Sequence, residues 1–202
     1  MSGCYEWGEG AVSENIRAVS IGEIIASDAP DDVLVAYGLG SCVAICLYDP
    51  VVRVGGMLHA LLPTALNEGN RGDNNPVKYV DRGTPLLVGS LLKLGARRGR
   101  LIGYLCGGAQ VLTALDLSDF LNIGERNVRA AESALSAENI HIRARSTGGY
   151  SGRTVRLYVS DGRVTAKSLE HGEQTIDSLA DSGPSARRAS SVIGKSSIVV
   201  RV

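Results

Sequence analysis

Tyr37-Gly38-Leu39-Gly40-Ser41-Cys42-Val43-Ala44-Ile45-Cys46-Leu47-Tyr48, followed by Arg53-Val54-Gly55-Gly56-Met57-Leu58-His59-Ala60-Leu61-Leu62-Pro63, is the stretch that decides the fold. The first run reads as a glycine-broken loop feeding a buried strand. The second reads as another strand, with Asp49-Pro50-Val51-Val52 as the turn between them. With Pro50-Val51 as the hairpin tip, Asp49 faces Val52, Tyr48 faces Arg53 and Cys42 faces His59. Directly opposed residues share a face, with Cβ atoms about 4.5–5.5 Å apart. A thiol and an imidazole so placed form the arrangement that activates a weak nucleophile. A slip of one residue would send the two to opposite faces. On spacing alone the bland alternative is the stronger one: an inert core cysteine beside a satisfied core histidine.

Working outward, the 202 residues suit one domain with extensions, and 44% hydrophobic content is enough for a sizeable core. Aromatics are only 4%, so that core is built from Val, Leu, Ile and Ala. Lys+Arg and Asp+Glu are 21 each, which leaves no basic footprint for nucleic acid. No apolar run reaches signal-peptide or membrane-spanning length, so no membrane insertion is expected. Cys4, Cys42, Cys46 and Cys106 show neither a disulfide framework nor zinc spacing. A cytoplasmic location, with no metal and no cofactor, is the expectation.

Residues 1–15 read as a loose leader, with Trp7 its one anchor. Arg17 to Ser27 reads as strand, bulge at Gly22, strand, and Val33 to Tyr37 as the next strand. Gly38 and Gly40 begin a Gly-x-Gly pattern, but Val43 stands where a dinucleotide fingerprint needs its third glycine. These glycines instead let the backbone turn sharply, so that amides near Gly40, Ser41 and Cys42 can face a developing oxyanion. Pro63 to Pro76 is a polar loop, equally a rim or lid and a plain crossover. Val77 to Leu94 is helical, with Pro85 near its first turn or kinking it, and Gly95 as its cap. Arg97-Arg98-Gly99-Arg100 reads as a solvated turn. Leu101 to Cys106 is a buried strand, with Cys106 in the core, and Gly107-Gly108-Ala109 permits close backbone approach. Asn122 to Asn139 is the clearest helix, its stripe made of Ile123, Val128, Ala131, Ala134 and Leu135. Ile140 to Ala144, Thr154 to Val159 and Val164 to Ser168 are strands, the last two joined by a two-residue turn at Asp161-Gly162. His141 alternates with apolar neighbours and points to solvent. Residues 177–202 read as a disordered Ser/Arg-rich tail, in which Ile198-Val199-Val200 could add an edge strand. Strands with two interspersed helices indicate an α+β domain over residues 16–176.

Gly38-Leu39-Gly40-Ser41-Cys42 and Gly56-Met57-Leu58-His59-Ala60-Leu61-Leu62-Pro63 resemble the signature of the CheD family of chemoreceptor glutamine deamidases. Lys78-Tyr79-Val80-Asp81, Gly107-Gly108-Ala109, Ile123-Gly124-Glu125-Arg126-Asn127, Thr147-Gly148-Gly149 and Gly152-Arg153 extend the resemblance in the same order, over about residues 18–174. The resemblance implies two packed β-layers flanked by helices, similar to the glutamine-deamidating cytotoxic necrotising factors. It implies Cys42 as nucleophile, His59 as its base, and hydrolysis of a receptor glutamine to glutamate and ammonia through a thioester. It implies a chemoreceptor's cytoplasmic domain as substrate and a CheC-type phosphatase as partner. Two positions depart from the family pattern. Ala36 stands where a threonine usually orients the histidine, and Ser146 stands where an acidic residue is common. Tyr37, Ser41 or a backbone carbonyl could take the orienting role. The alternative is a CheD-like binding module, weak or inactive in catalysis, that docks chemoreceptors or a CheC-type phosphatase.

Overall fold

The computed structural model describes residues 14–65, 75–110, 122–177 and 196–201. Two sheets lie face to face, and two helices cover the outer side of one of them. The strands are β1 (Asn15–Ala18), β2 (Glu23–Ser27), β3 (Asp32–Leu39), β4 (Val43–Asp49), β5 (Val54–Ala60), β6 (Ile102–Gly107), β7 (His141–Thr147), β8 (Arg153–Tyr158), β9 (Val164–Ser168), β10 (Gly172–Asp177) and β11 (Ser197–Val200). The helices are α1 (Val80–Lys93) and α2 (Ile123–Ala137). One sheet runs β1-β3-β8-β9-β10 and the other β11-β2-β5-β4-β6-β7. This is the expected α+β class with two packed β-layers.

β4 and β5 are buried along their whole length because each of their faces has a cover. Val43, Ile45, Leu47, Leu58 and Ala60 pack with Leu87, Leu91, Ala131 and Leu135 of the helices. Cys42, Ala44, Cys46, Tyr48 and Met57 pack with Leu34, Ala36, Val155 and Leu157 of the other sheet. A strand covered on both sides reads as an unbroken apolar run, which is how this pair stood out in the sequence.

Several local expectations change. Two strands form in Arg17 to Ser27 as expected, but the break at Gly22 is a turn and not a bulge, because the strands join different sheets: β1 pairs parallel with β3, and β2 pairs with β5. Pro85 sits in the second turn of α1, not the first. Gly95, with φ 92°, closes α1: its N–H donates to Leu92 O and that of Ala96 to Leu91 O. The β8–β9 loop has five residues, Val159 to Arg163, not two. Tyr158 N donates to Arg163 O, while Val159 leaves the ladder and donates to Asp32 O. His141 is exposed, and Cys106 is core, as expected. Ser197–Val200 lies antiparallel on β2 at the edge of its sheet, where an edge strand was allowed for. Most of the leader, of the Pro63–Pro76 loop and of the 177–202 segment lies outside the described residues.

The basic cluster before β6 is a turn with Arg97, Arg98 and Gly99 exposed, as expected, but Arg100 is drawn in against β4. The Arg100 guanidinium lies 2.7 Å from Asp49 Oδ2, and Arg97 N donates to the same oxygen at 2.9 Å. Asp49, fully buried at the end of β4, also accepts from Val51 N. Burial opposes ionisation of Asp49, but the Arg100, Arg97 and Val51 bonds outweigh it and hold the carboxyl below its ordinary value. Arg100→Ala strands that charge. With the guanidinium 26% exposed, the expected loss is about 3 kcal/mol, the low end for a broken buried pair. A depressed carboxyl contributes stability above its unfolded value of about 3.9, and that contribution is lost as pH falls through the lower folded value. Denaturant titrations from pH 7 down to pH 3 check both points: the gap between the midpoints of wild type and Arg100→Ala is full at pH 7 and narrows in acid, as wild type loses this contribution and protonation relieves the stranded charge in the variant.

Candidate active site

Cys42 stands one residue ahead of β4 at 7% exposure, and His59 stands next to last in β5 at 3%. The register joining them differs from expectation by two residues. Ala44, not Cys42, lies opposite His59, and Val43 lies opposite Ala60. The cause is the turn. A two-residue hairpin needs positive φ at its first position, which proline does not adopt. The loop is therefore four residues, Pro50 to Arg53, with Arg53 at φ 54°. A slip of two keeps every side chain on its face, so Cys42 and His59 are diagonal neighbours between the sheets, with a typical backbone separation of about 7–8 Å.

The imidazole is held by main chain. His59 Nδ1 lies 3.1 Å from Val19 O, and since a carbonyl only accepts, Nδ1 carries the hydrogen. Nε2 is then the basic atom of the neutral ring. It is buried with no hydrogen-bond partner among the described residues. Val19 sits where the chain crosses from one sheet to the other, in a turn closed by Glu23. Ser20 N donates to Glu23 Oε2 at 2.8 Å, Glu23 N to Ser20 O at 3.1 Å, and Gly22 N to His59 O at 2.8 Å. The other oxygen of buried Glu23 takes Arg201, the residue after β11. Ala36 faces the same inter-sheet layer, fully buried, and brings no hydroxyl. The acceptor on the histidine ring is the Val19 carbonyl. A main-chain atom leaves no side-chain signal, so sequence could name the option but not the residue.

The loop ahead of Cys42 is fastened through its oxygens. Ala109 N donates to Gly40 O at 2.7 Å, Asn127 Nδ2 to Ser41 O at 2.9 Å, and Gly108 N to Cys42 O at 2.8 Å. In a trans peptide the carbonyl and the next N–H point opposite ways, so the amides of Ser41 and Cys42 are turned away from these donors. Burial pushes the Cys42 thiol above its ordinary value, against the pull of its own N–H. Burial likewise pulls His59 below the usual imidazole value, against the Val19 bond. Both shifts favour a neutral thiol beside a neutral base.

Cys46 and Cys106 are fully buried, with Cys106 pushed up to about 12 by desolvation. The open groove of about 410 Å³ along Tyr150, Arg153, Ser168 and Gln174 is lined by neither Cys42 nor His59. Among the described residues no group of three or more His, Cys, Asp or Glu could hold a metal ion, and no helix is long and apolar enough to cross a membrane.

Residues 61–168 match the family model described as CheD chemotactic sensory transduction. A relative from Symbiobacterium thermophilum named probable chemoreceptor glutamine deamidase CheD is 42% identical over 161 residues, covering 80% of this chain and 97% of its own. One of the same name from Pyrococcus abyssi is 49% identical over 143 residues, covering 71% and 86%. The solved Bacillus licheniformis hypothetical protein YfiH aligns at a TM-score of 0.35 and 14% identity over 61% of this chain and 57% of its own, too weak a likeness to carry an argument. The ordered motifs, the two-layer fold and these relatives agree: the chain belongs to the CheD family.

Proposed function

We propose that this chain is a chemoreceptor glutamine deamidase in which Cys42 is the nucleophile and His59 the base. The observation that carries the pairing is the His59 ring: Nδ1 is committed to Val19, and a buried Nε2 with no partner among the described residues remains on the face it shares with Cys42. Family membership supports the reaction, since the relatives are named for it.

His59 Nε2 takes the Cys42 proton as Sγ attacks Cδ of a substrate glutamine. The amides of Ser41 and Cys42, on the Gly40 turn, would receive the oxyanion. The imidazolium then protonates the departing nitrogen, the C–N bond breaks, and ammonia leaves a thioester. Water gives a proton to His59 and attacks the thioester carbon. The C–S bond breaks, the thiol regains its proton, and glutamate remains. The Val19 carbonyl keeps the ring in the tautomer this sequence requires. Ala36 brings no hydroxyl to orient the ring, and the Val19 carbonyl within hydrogen-bond distance of Nδ1 supports the catalytic reading over a binding-only module. Family membership extends the proposal to a CheC-type phosphatase as docking partner.

Incubation with the cytoplasmic fragment of the cognate chemoreceptor is expected to release ammonia and add one dalton at specific glutamines. Binding without ammonia would leave only the docking reading.

A further inference from the structure

We propose that Asn127 is a positioning residue that sets the spacing of Cys42 and His59; this rests on the deamidase reading above. Asn127 lies on α2, which approaches the catalytic loop closely because Gly108 and Gly124 lack side chains. A Cβ on Gly124 would stand 2.6 Å from Gly108 O. One turn on from Gly124, Asn127 projects from the same helix face, fully buried in line with Ala131 and Leu135.

Its Nδ2 donates to Ser41 O and to Leu61 O, both at 2.9 Å. Ser41 immediately precedes Cys42, and Leu61 follows His59 by two. The β4–β5 ladder ends at Val43 and Ala60, so Asn127 bridges the two chains just past the last strand pair. Beyond that point β5 turns away, with Leu61 N and Leu62 N both donating to Lys78 O. Reversing the amide would set oxygen against two carbonyls, so its orientation is forced.

For stability alone the residue cuts both ways: its Nδ2 satisfies Ser41 O and Leu61 O, but its Oδ1 is a cost. Asn127 Oδ1 is buried with no partner among the described residues, an unmet acceptor that a leucine of the same branching would not bring. What an amide supplies and leucine cannot is one nitrogen that holds both chains.

The test uses Asn127→Leu, which keeps the branched skeleton and removes the donor, and Asn127→Ser, which keeps a shorter one. Cys4→Ser in every protein removes that thiol's signal. Ammonia release from the receptor fragment gives kcat and KM, and iodoacetamide labelling of Cys42 against pH reports its coupling to His59. Protection of Cys46 and Cys106 reports the fold. Expected for Asn127→Leu is a fall in kcat of about 100-fold, the usual effect of misplacing a reactive group by about 1 Å, with KM within about threefold. Its Cys42 labelling profile moves to that of His59→Ala, and Asn127→Ser falls between. An unchanged kcat or an unchanged profile, with Cys46 and Cys106 protected, overturns the assignment. If Asn127→Leu exposes the core thiols, Asn127→Ser decides by the same criteria. If wild type releases no ammonia the deamidase reading fails by itself, and the labelling profiles still decide whether Asn127 sets the pair.

Discussion

Cys42→Ala is expected to abolish ammonia release from the receptor fragment, while Cys46→Ala and Cys106→Ala keep it. Loss of a nucleophile that acts as a unit with its base costs on the order of 10⁶ in kcat, which takes turnover below detection. The contrast among three buried thiols makes the prediction specific. Cys46 and Cys106 lie along adjacent strands in the sheet interior, fully covered, their thiols pushed far up by desolvation. Cys42 stands at the mouth of the same sheet, next to the half-buried Gly40 and Ser41 and on the face of an imidazole nitrogen that has no partner among the described residues. Assays of the three variants side by side would settle the nucleophile, and activity surviving in Cys42→Ala would remove it from the mechanism.

The pH profile follows from the same burial. The base must be neutral, and desolvation lowers His59 below the ordinary imidazole value of about 6.5. Protonation then takes the base away only in acid below that value. kcat/KM should stay level from neutral pH down through about 6.5 and fall beyond it. A limb centred above 6.5 would mean that His59 is not the group titrating.

How far the sequence could be read depended on what each residue's signal was. β4 and β5 were legible because cover on both faces demands an unbroken apolar run, and their face assignment survived an error in register. Pro50 held the correction: its fixed φ excludes the two-residue turn, so the four-residue loop could have been read from the chain. Asn127 also had a signal, a polar residue three after Gly124 and four before Ala131 on an otherwise apolar stripe. Asp49 and Arg100 had none, since residues 51 apart in sequence meet only once β4 and the turn before β6 are in place. Val19 was illegible for a different reason. Its contribution is a carbonyl, common to every residue, and its position depends on β1 and β2 joining different sheets.

Gly107→Ala is expected to destabilise the protein and to lower turnover by more than the stability loss explains. Gly107 ends β6 at φ 104°, a conformation that a side chain resists, at a cost of about 1–3 kcal/mol. A Cβ there would stand 2.3 Å from Cys42 O and 3.1 Å from Val43 Cα, both main-chain atoms that cannot rotate aside. Overpacking of that kind adds about 1–3 kcal/mol, so a total of about 2–6 kcal/mol should appear in denaturant unfolding. Relief can come only by moving β6 or the Cys42 loop. The loop is held through Gly40 O, Ser41 O and Cys42 O, and Gly108 N, which binds the last of these, is the next residue along. Any shift therefore displaces the thiol from the His59 face. At a denaturant-free temperature where the variant remains folded, its kcat should still lie at least about 100-fold below wild type. Wild-type turnover in a folded Gly107→Ala protein would show that the close approach of β6 shapes the fold without setting the nucleophile.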